Sequence, residues 1–308
     1  MPMHPDDCKL STGDHSEIYQ LIVSEFLTGD TLSGCPQAIF LGGQPGAGKT
    51  KMRELAVDQF SSVVINADDL REYHPLYNTL KLSEPERASF LVNSDVSLWT
   101  QRLIHQAADE RRNVIIDGTF GSSDQKMLAD TLQSFRDKGY VNQLWIIAVP
   151  EEFSKLGIYF RNEMQIQHTG SGRLVSIKVH DLNYKNIPEN IKMAMTLVDR
   201  VCIFSRSVKR EKDQFINNKV DIMYSLERSN PDFEQSAELF LKIRNEPLSP
   251  LLKQYYTVRL HEVVAMIDGR LESAVKDNNM EKSRAILRYK ENFLSELGIK
   301  GKNQEMTL

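Results

Sequence analysis

Residues 38–50 read AIFLGGQPGAGKT and hold the most specific signal in this 308-residue chain. An apolar run leads into the pattern G-x-x-x-x-G-K-[ST] and a helix-forming segment follows it, which is the setting of a nucleoside-triphosphate-binding loop, or P-loop. Glycines at these positions let backbone amides approach an anion, and the N-terminus of the next helix adds positive potential. The predicted loop consists of Gly43, Gln44, Pro45, Gly46, Ala47, Gly48, Lys49 and Thr50.

Two side chains of this loop have predicted roles toward the nucleotide. Lys49 is expected to contact the β- and γ-phosphates of ATP or GTP, and Thr50 is expected to offer its hydroxyl to Mg²⁺. The loop alone leaves the function open, because motors, GTPases, kinases and sensors all contain it.

Strand-like and helix-like segments alternate along the first 230 residues. Five short apolar runs are predicted to be buried strands, at residues 38–42, 62–67, 113–118, 143–149 and 200–205. Helical patterns lie between them, at residues 50–60, 84–111, 123–137 and 151–165. This alternation predicts an α/β fold: a P-loop kinase-like parallel sheet flanked by helices.

After about residue 230 the sequence turns helical throughout. We therefore expect a P-loop domain at residues 1–230 and an α-helical C-terminal extension at residues 231–308. Apolar residues recur there at intervals of three and four, which predicts packing against the core. Binding of a partner, or inhibition of the first domain, remains open for the extension.

The composition excludes some classes of function. A formal net charge of -4 provides no general attraction to nucleic acid or to acidic membranes. The three cysteines show neither metal-ligand spacing nor a disulfide framework, which favours a reducing compartment. No apolar run is long enough to cross a bilayer and the N-terminus is polar, so we expect a cytoplasmic protein.

Acidic residues follow two of the predicted strands. Asp68 and Asp69 come after the second strand, where a carboxylate could accept the proton of an acceptor hydroxyl, or where Asp69 could cap a helix. Asp117 ends the third strand, where it could bind Mg²⁺ or substrate, or form a turn. Arg161 and Arg173 could supply positive charge to a migrating phosphoryl group, or form surface salt bridges.

Several ordered segments together resemble the zeta toxin family of toxin–antitoxin systems. They are FLGGQPGAGKTKMRE at the loop, VINADDLREYHP, NVIIDGTF, AVPEEFSKLGIYFRNE and GRLVSIKVHD. Their order and approximate spacing agree with the family from about residue 16 to residue 206, and the resemblance fades beyond residue 230. It implies a P-loop kinase that uses ATP and Mg²⁺ to phosphorylate the 3′-hydroxyl of the sugar in UDP-N-acetylglucosamine, which disturbs the supply of a cell-wall precursor.

The resemblance also implies roles for individual residues. Lys49 and Thr50 would handle ATP and Mg²⁺, Asp68 would be the catalytic base, and Arg161 and Arg173 would neutralise the transferred group. Asp117, Thr119 and Gln101 would bind the sugar substrate. The expected partner is a short helical antitoxin that blocks the ATP site.

Two departures from the family pattern fall in the acceptor pocket. Gln101 stands where the family has a Glu, which removes a negative charge, and Asp117 stands where a Glu is more usual. Another acceptor is therefore open, namely a nicotinamide dinucleotide, as in relatives delivered as effectors, a nucleoside or an antibiotic. A catalytically restrained ATP-binding regulator is a further alternative.

Overall fold

A six-stranded sheet forms the centre of the protein in a computed structural model that describes residues 3–28, 34–85, 87–211 and 214–299. The strand order is β2-β3-β1-β4-β5-β6, with all neighbours parallel except the β5–β6 hairpin. The strands are β1 (Gln37–Gly42), β2 (Val63–Ile65), β3 (Val114–Asp117), β4 (Val141–Ile147), β5 (Arg200–Glu211) and β6 (Gln214–Glu227). The predicted α/β class and its mostly parallel sheet are confirmed.

Helices cover both faces of this sheet and follow it at the C-terminal end. Up to the second strand they are α1 (Pro5–Cys8), α2 (Thr12–Phe26) and α3 (Lys49–Gln59). Between the second and third strands lie α4 (Ala67–Leu70), α5 (Tyr77–Ser83), α6 (Ala88–Leu91) and α7 (Asn93–Asp109). The remaining helices are α8 (Gln125–Asp137), α9 (Glu151–Thr169), α10 (Ile177–Ala194), α11 (Ser236–Arg244), α12 (Pro250–Lys276) and α13 (Met280–Glu296).

Two elements differ from the sequence-based expectation. The strand β6 was not predicted, because it is an edge strand that leaves Ile222 and Met223 exposed and so lacks the continuous apolar run of a buried strand. The helix predicted over residues 84–111 is two helices, α6 and α7, which meet at Val92 with φ near −98° and ψ near 2°.

Alternate residues of the central strands enter opposite cores. Phe40 packs into the larger core under α7 and α8, whereas Ile39 and Leu41 pack into a smaller core with Met52 of α3. This two-sided burial is what a parallel sheet covered by helices requires. Within the described residues, no helix combines the length and apolarity needed to span a bilayer.

The C-terminal helices are confirmed, and they pack in two places. Phe240 of α11 belongs to the larger core of the sheet, whereas α12 and α13 form a separate core on α9, with Val263 and Phe293 fully buried. The division of the chain into two domains at residue 230 remains a prediction. Helix α11 lies after this residue but packs into the core of the first domain.

Candidate active site

The predicted P-loop connects β1 to α3 and has the backbone of an anion cradle. Gly43, Gly46 and Gly48 have φ values of 143°, 79° and 94°. Residues other than glycine rarely adopt positive φ values of this kind. Gly48 caps α3, so the free amides of the helix N-terminus face the loop. A Cβ at Gly46 would overlap the Ser154 carbonyl, so the loop lies directly against α9.

Lys49 begins α3 and folds back over the loop. Its Nζ donates a hydrogen bond of 2.8 Å to the Gly43 carbonyl. Burial lowers the pKa of Lys49 to about 8, against the opposing influence of Asp117, while Arg161 lowers it further. A bound phosphate would offset the effect of burial and favour the charged form of Lys49, because it would supply an opposite charge next to the ammonium group. Thr50 lies beside Lys49 in the first helical turn and is exposed.

A buried polar chain holds the second residue of the loop. Gln44 Nε2 donates to the Val149 carbonyl and to Ser154 Oγ, both at 3.1 Å. Ser154 Oγ in turn lies 2.8 Å from His180 Nε2, and His180 Nδ1 lies 2.8 Å from Asp181. Burial lowers the pKa of His180, although Asp181 acts in the opposite direction, so the imidazole is neutral at pH 7.

The sequence did not predict this series of hydrogen bonds. Its members come from the P-loop, α9 and α10, and only the pair at residues 180 and 181 is local in sequence. The arrangement resembles a hydrolytic triad, but Ser154 and His180 are both fully buried, so no substrate reaches them. The chain instead holds Gln44, and with it the loop, against α9.

Asp68 lies in α4, immediately after β2. The residue that caps this helix is Asn66, whose side chain accepts a 2.8 Å hydrogen bond from the Asp68 amide. Asp69 is therefore not the cap that the sequence suggested. One oxygen of the Asp68 carboxylate contacts Arg71, and the other lies 3.0 Å from Arg173 Nη1. Two guanidinium groups thus face the predicted catalytic base.

Asp117 ends β3 and is held by two neighbours. Its Oδ2 accepts hydrogen bonds from Arg53 Nη1 at 3.2 Å and from Asn66 Nδ2 at 3.0 Å. Only 10% of the side chain is exposed. Asp69 lies 3.9 Å from the same Arg53. Burial raises the pKa of Asp69. The arginine and the amide thereby join α3, the end of β2 and the end of β3 into one polar layer.

Thr119 and Gln101 were predicted to bind substrate, and they have different surroundings. The carbonyl of Thr119 accepts a 2.9 Å hydrogen bond from the Gly43 amide, which places Thr119 at the start of the P-loop. Gln101 is exposed on α7, and its amide lies 3.5 Å from Met127 Sδ of α8. Gln101 thus lies where α7 meets α8.

Arg161 and Arg173 share a basic region above the P-loop. Arg161 lies in α9 and Arg173 in the segment after it, where the Arg173 amide donates to Gln165 at 3.1 Å. Desolvation lowers the pKa of both guanidinium groups, and the charge of Arg173 lowers that of Arg161 further. Both stay protonated at neutral pH, since an arginine starts from a pKa above 12.

A second buried pair supports the segment after Asp68. His74 Nε2 lies 3.4 Å from Asp95 Oδ2, both side chains are buried, and Trp99 packs against the imidazole. Burial lowers the pKa of His74 in spite of the nearby carboxylate. This His-Asp pair anchors the turn after α4 to α7.

The structure brings most of the predicted site residues to one edge of the sheet. Asp68 and Arg173 are in contact, and the charges of Lys49, Asp117 and Arg161 interact. Sequence reasoning missed Asn66 and Arg71, although a capping-type residue just before Ala-Asp-Asp is a local signal for the first of them. Within the part of the chain that the structure describes, no group of three or more His, Cys, Asp or Glu residues could hold a metal ion.

A mostly parallel α/β sheet with a P-loop, and with a carboxylate and arginines at the carboxyl edge of its strands, defines the class of P-loop nucleotide-binding proteins. A sequence model of the Zeta toxin family matches residues 26–221 of the chain. The chain therefore belongs to the zeta toxin family, as the sequence motifs indicated.

Individual relatives agree with this assignment. The chain is 30% identical over 174 residues to Toxin zeta of Streptococcus pyogenes, covering 55% of this chain and 60% of that protein. It thus spans about three fifths of that relative's length.

Two solved structures have a similar fold. One belongs to the PezAT chromosomal toxin–antitoxin system of Streptococcus pneumoniae, with a TM-score of 0.69 and 21% identity over 85% of this chain and 100% of that one. The other, AvrRxo1-ORF1 with AvrRxo1-ORF2 and ATP, has a TM-score of 0.52 and 16% identity over 90% and 84% of the two chains.

Proposed function

We propose that this protein is an ATP-dependent phosphotransferase that transfers the γ-phosphoryl group to a hydroxyl of a small acceptor. The observation that carries the proposal is the 3.0 Å contact between Asp68 and Arg173 beside the P-loop. A carboxylate that can take a proton and a guanidinium that can bind the migrating group are the two functions that transfer to an alcohol needs. Membership of the zeta toxin family supports the same assignment.

The proposed reaction gives each of these groups a role. The P-loop amides and Lys49 would hold the β- and γ-phosphates, and the acceptor hydroxyl would approach from the side of Asp68. The hydroxyl oxygen bonds to the γ-phosphorus, its proton passes to the Asp68 carboxylate, and the bond from the γ-phosphorus to the β–γ bridging oxygen breaks, which releases ADP. Arg161 and Arg173 would stabilise the negative charge on the transferring oxygens.

Thr50 is the residue of the loop that would hold Mg²⁺, together with phosphate oxygens and water. Its hydroxyl group and its exposed position in the first turn of α3 fit this ligand set. The ion would neutralise charge that develops on the β- and γ-phosphates. The solved structure of a protein of similar fold with ATP supports ATP as the phosphoryl donor.

For the acceptor we propose the 3′-hydroxyl of the sugar in UDP-N-acetylglucosamine or a related UDP-sugar. The support is the ordered series of Asp68, Thr119, Arg161 and Arg173, which resembles the family pattern in sequence. Such a reaction would be toxic in the cytoplasm, because it removes a cell-wall precursor. The proposed protein partner is a short helical antitoxin, and the toxin–antitoxin origin of a structural neighbour supports it.

A second candidate function keeps the kinase and changes the acceptor. Asp117 is hydrogen-bonded through Oδ2 to Arg53 and Asn66. Gln101, which faces Met127, carries no carboxylate, so both positions differ from the family pattern. These two observations favour an acceptor other than UDP-N-acetylglucosamine, such as a nicotinamide dinucleotide, a nucleoside or an antibiotic.

One experiment tests both candidates. The protein is incubated with ATP, Mg²⁺ and separate acceptors from each class, and the products are identified by mass spectrometry. A gain of one phosphate on a UDP-sugar, absent with Lys49→Ala, supports the first candidate, and a gain on another acceptor supports the second. ATP binding without transfer to any acceptor would contradict both and favour a nucleotide-binding regulator.

A further inference from the structure

We propose that the C-terminal hairpin of α12 and α13 positions Arg173 for phosphoryl transfer, because Tyr289 holds Asn162 beneath the segment that carries this arginine. The proposal rests on the proposed transfer reaction and adds Asn162 and Tyr289 to it as positioning residues. It gives the C-terminal extension a supporting role in the reaction, where the sequence left partner binding or inhibition open.

The segment after α9 lies directly on that helix. A Cβ at Gly172 would stand 2.5 Å from Asn162 Oδ1 and 2.7 Å from the Asn162 carbonyl oxygen. Both distances are far shorter than van der Waals contact, so only a glycine fits at this point. The next residue, Arg173, donates its amide to Gln165 Oε1 of the same helix at 3.1 Å. The backbone that carries the Arg173 side chain is thus fixed to α9.

The hairpin in turn fixes the side chain of Asn162. Its Nδ2 donates a 2.9 Å hydrogen bond to the hydroxyl of Tyr289 in α13. A second contact, to Glu163 Oε1, is longer at 3.5 Å, and that oxygen also accepts a 2.8 Å hydrogen bond from Arg270 of α12. Asn162 is buried, so the bond to Tyr289 determines how its amide lies under Gly172.

Packing joins the same segment to the hairpin on its other side. The Tyr289 ring meets Tyr159 of α9 edge to face, with ring centres 5.6 Å apart. Leu174 and Ile177, which follow Arg173, pack against the core that α9 forms with α12 and α13. Arg173 therefore lies between two contacts that both lead to the hairpin.

The placement of Arg173 matters because its guanidinium has to act at one point in space. Its Nη1 lies 3.0 Å from Asp68, beside the site proposed for the transferring group. A charge stabilises a transition state only where it is already in position, and a displacement of about 1 Å can lower a rate by about 10²-fold. The P-loop and Lys49 hold the nucleotide from α3, so loss of the hairpin contact should lower kcat rather than nucleotide binding.

The test is a double-mutant cycle that joins Tyr289 to Arg173. Tyr289→Phe removes only the hydroxyl, and with the acceptor found in the panel it should lower kcat about tenfold while the KM for ATP stays unchanged. In an Arg173→Ala background, the same substitution should lower kcat by less than about twofold, because the group that it positions is absent.

Tyr19→Phe is the matched control for this cycle. The Tyr19 hydroxyl donates to the side-chain oxygen of Gln106 at 2.8 Å and joins α2 to α7, so the substitution removes a comparable hydrogen bond elsewhere. It should change kcat by less than about twofold with or without Arg173.

A second measurement does not depend on the acceptor. Hydrogen-exchange mass spectrometry should show faster exchange within residues 170–176 in Tyr289→Phe and no change there in Tyr19→Phe. Gly172→Ala, which inserts a methyl group between the segment and α9, should reproduce both the faster exchange and the lower kcat, and it serves if Tyr289→Phe does not fold. Its control is Gly269→Ala on α12, where the added Cβ meets nothing within 4 Å.

Two results would overturn the proposal. One is an equal fall of kcat in Tyr289→Phe with and without Arg173, which would mean that the hydroxyl acts through general stability. The other is unchanged exchange within residues 170–176 in both Tyr289→Phe and Gly172→Ala. If the unmodified protein phosphorylates no acceptor of the panel, the proposed function fails, and the exchange rates alone decide whether the hairpin holds the Arg173 segment.

Discussion

The guanidinium of Arg173 lies 3.0 Å from one oxygen of Asp68, while Arg71 contacts the other oxygen. The predicted base and a predicted transfer arginine thus neutralise each other in the structure. For Asp68 to accept a proton from a substrate, an oxygen has to become available. We expect Arg173, which lies in the irregular segment after α9, to release this oxygen when a nucleotide binds and its phosphate competes for the guanidinium.

Replacement of Asp68 by Asn should separate catalysis from binding. The amide cannot accept the hydroxyl proton, so the transfer rate should fall roughly 10²- to 10⁴-fold, while nucleotide affinity changes little. The rate is measured from product formation with the acceptor found in the panel, and affinity by calorimetry. Asp69→Asn is the matched control, since Asp69 is half-exposed and pairs only distantly with Arg53 at 3.9 Å. Full activity in Asp68→Asn would remove Asp68 as the base.

Nucleotide affinity should depend on pH through Lys49. Burial lowers the pKa of Lys49 to about 8, so in the free protein the ammonium group loses its proton as pH rises above this value. A bound phosphate favours the charged form, and affinity should therefore fall by up to about tenfold per pH unit above pH 8. Calorimetric titrations of a non-hydrolysable ATP analogue between pH 7 and pH 9.5 measure the effect.

Two lysine variants provide the controls for this pH dependence. Lys49→Met should bind weakly and lose the dependence, whereas Lys51→Met should keep it, because Lys51 lies at the surface next to Glu54. The same slope in Lys49→Met as in the unmodified protein would assign the titration to another group.

Replacement of Gly46 by Ala should weaken nucleotide binding more than tenfold. The φ of 79° costs a non-glycine residue about 1 kcal/mol, and the new Cβ would also overlap the Ser154 carbonyl of α9. Gly139→Ala is the matched control, with φ of 75° and nothing within 4 Å of the added Cβ. Both variants should lose stability through the backbone, and only Gly46→Ala should lose affinity beyond tenfold, or about 1.4 kcal/mol. Equal effects on binding would show that the contact with α9 is unimportant.

Ser154→Ala should destabilise the protein and weaken its hold on the P-loop. It leaves Gln44 and His180 without their shared partner in the interior, which should lower the free energy of unfolding by about 1–3 kcal/mol. Urea denaturation measures the loss, and the ATP-analogue affinity should fall as well. Ser24→Ala, which removes an exposed hydroxyl bonded to the Leu21 carbonyl at 2.8 Å, should change stability by less than about 0.5 kcal/mol. If Ser154→Ala lowered the free energy of unfolding no more than Ser24→Ala does, the proposed role of the buried hydrogen bonds would be contradicted.

The ion pair between Glu163 and Arg270 should hold the C-terminal hairpin of α12 and α13 to α9. The two groups are 2.8 Å apart, and the Glu163 side chain is only 1% exposed. Arg270→Met would leave a buried carboxylate unpaired and should cost about 3–5 kcal/mol in the free energy of unfolding. The double variant Glu163→Gln/Arg270→Met should recover part of this loss in a urea-denaturation cycle.

The matched control for this pair lies within the hairpin itself. Lys290 and Asp268 are 2.6 Å apart but partly exposed, so Lys290→Met should cost no more than about 1 kcal/mol. Equal costs for Arg270→Met and Lys290→Met would show that the contact with α9 is not a special anchor. Since Glu163 lies two residues after Arg161 on α9, transfer activity should fall together with stability in Arg270→Met.

Local signals account for the parts of the fold that the sequence predicted. The apolar runs of β1 and β4 are buried on both faces, and the helix predicted over residues 123–137 is α8, which Asp124 caps. The strand β6 was not predicted because an edge strand needs no continuous apolar run. The break between α6 and α7 at Val92 was not predicted either, because no proline or glycine marks it.

The sequence by itself determined the phosphate loop, because eight consecutive residues with glycines at the required positions specify the conformation of the cradle wherever a strand leads in and a helix leads out. It determined the family through the ordered motifs that follow the loop. Only the tertiary structure decided which partners the charged residues have. Asp68 meets Arg173, Asp117 meets Arg53, and Arg206 meets Gly48 because distant segments pack at one sheet edge. Contacts of that kind depend on the three-dimensional path of the whole chain, and no local pattern encodes them.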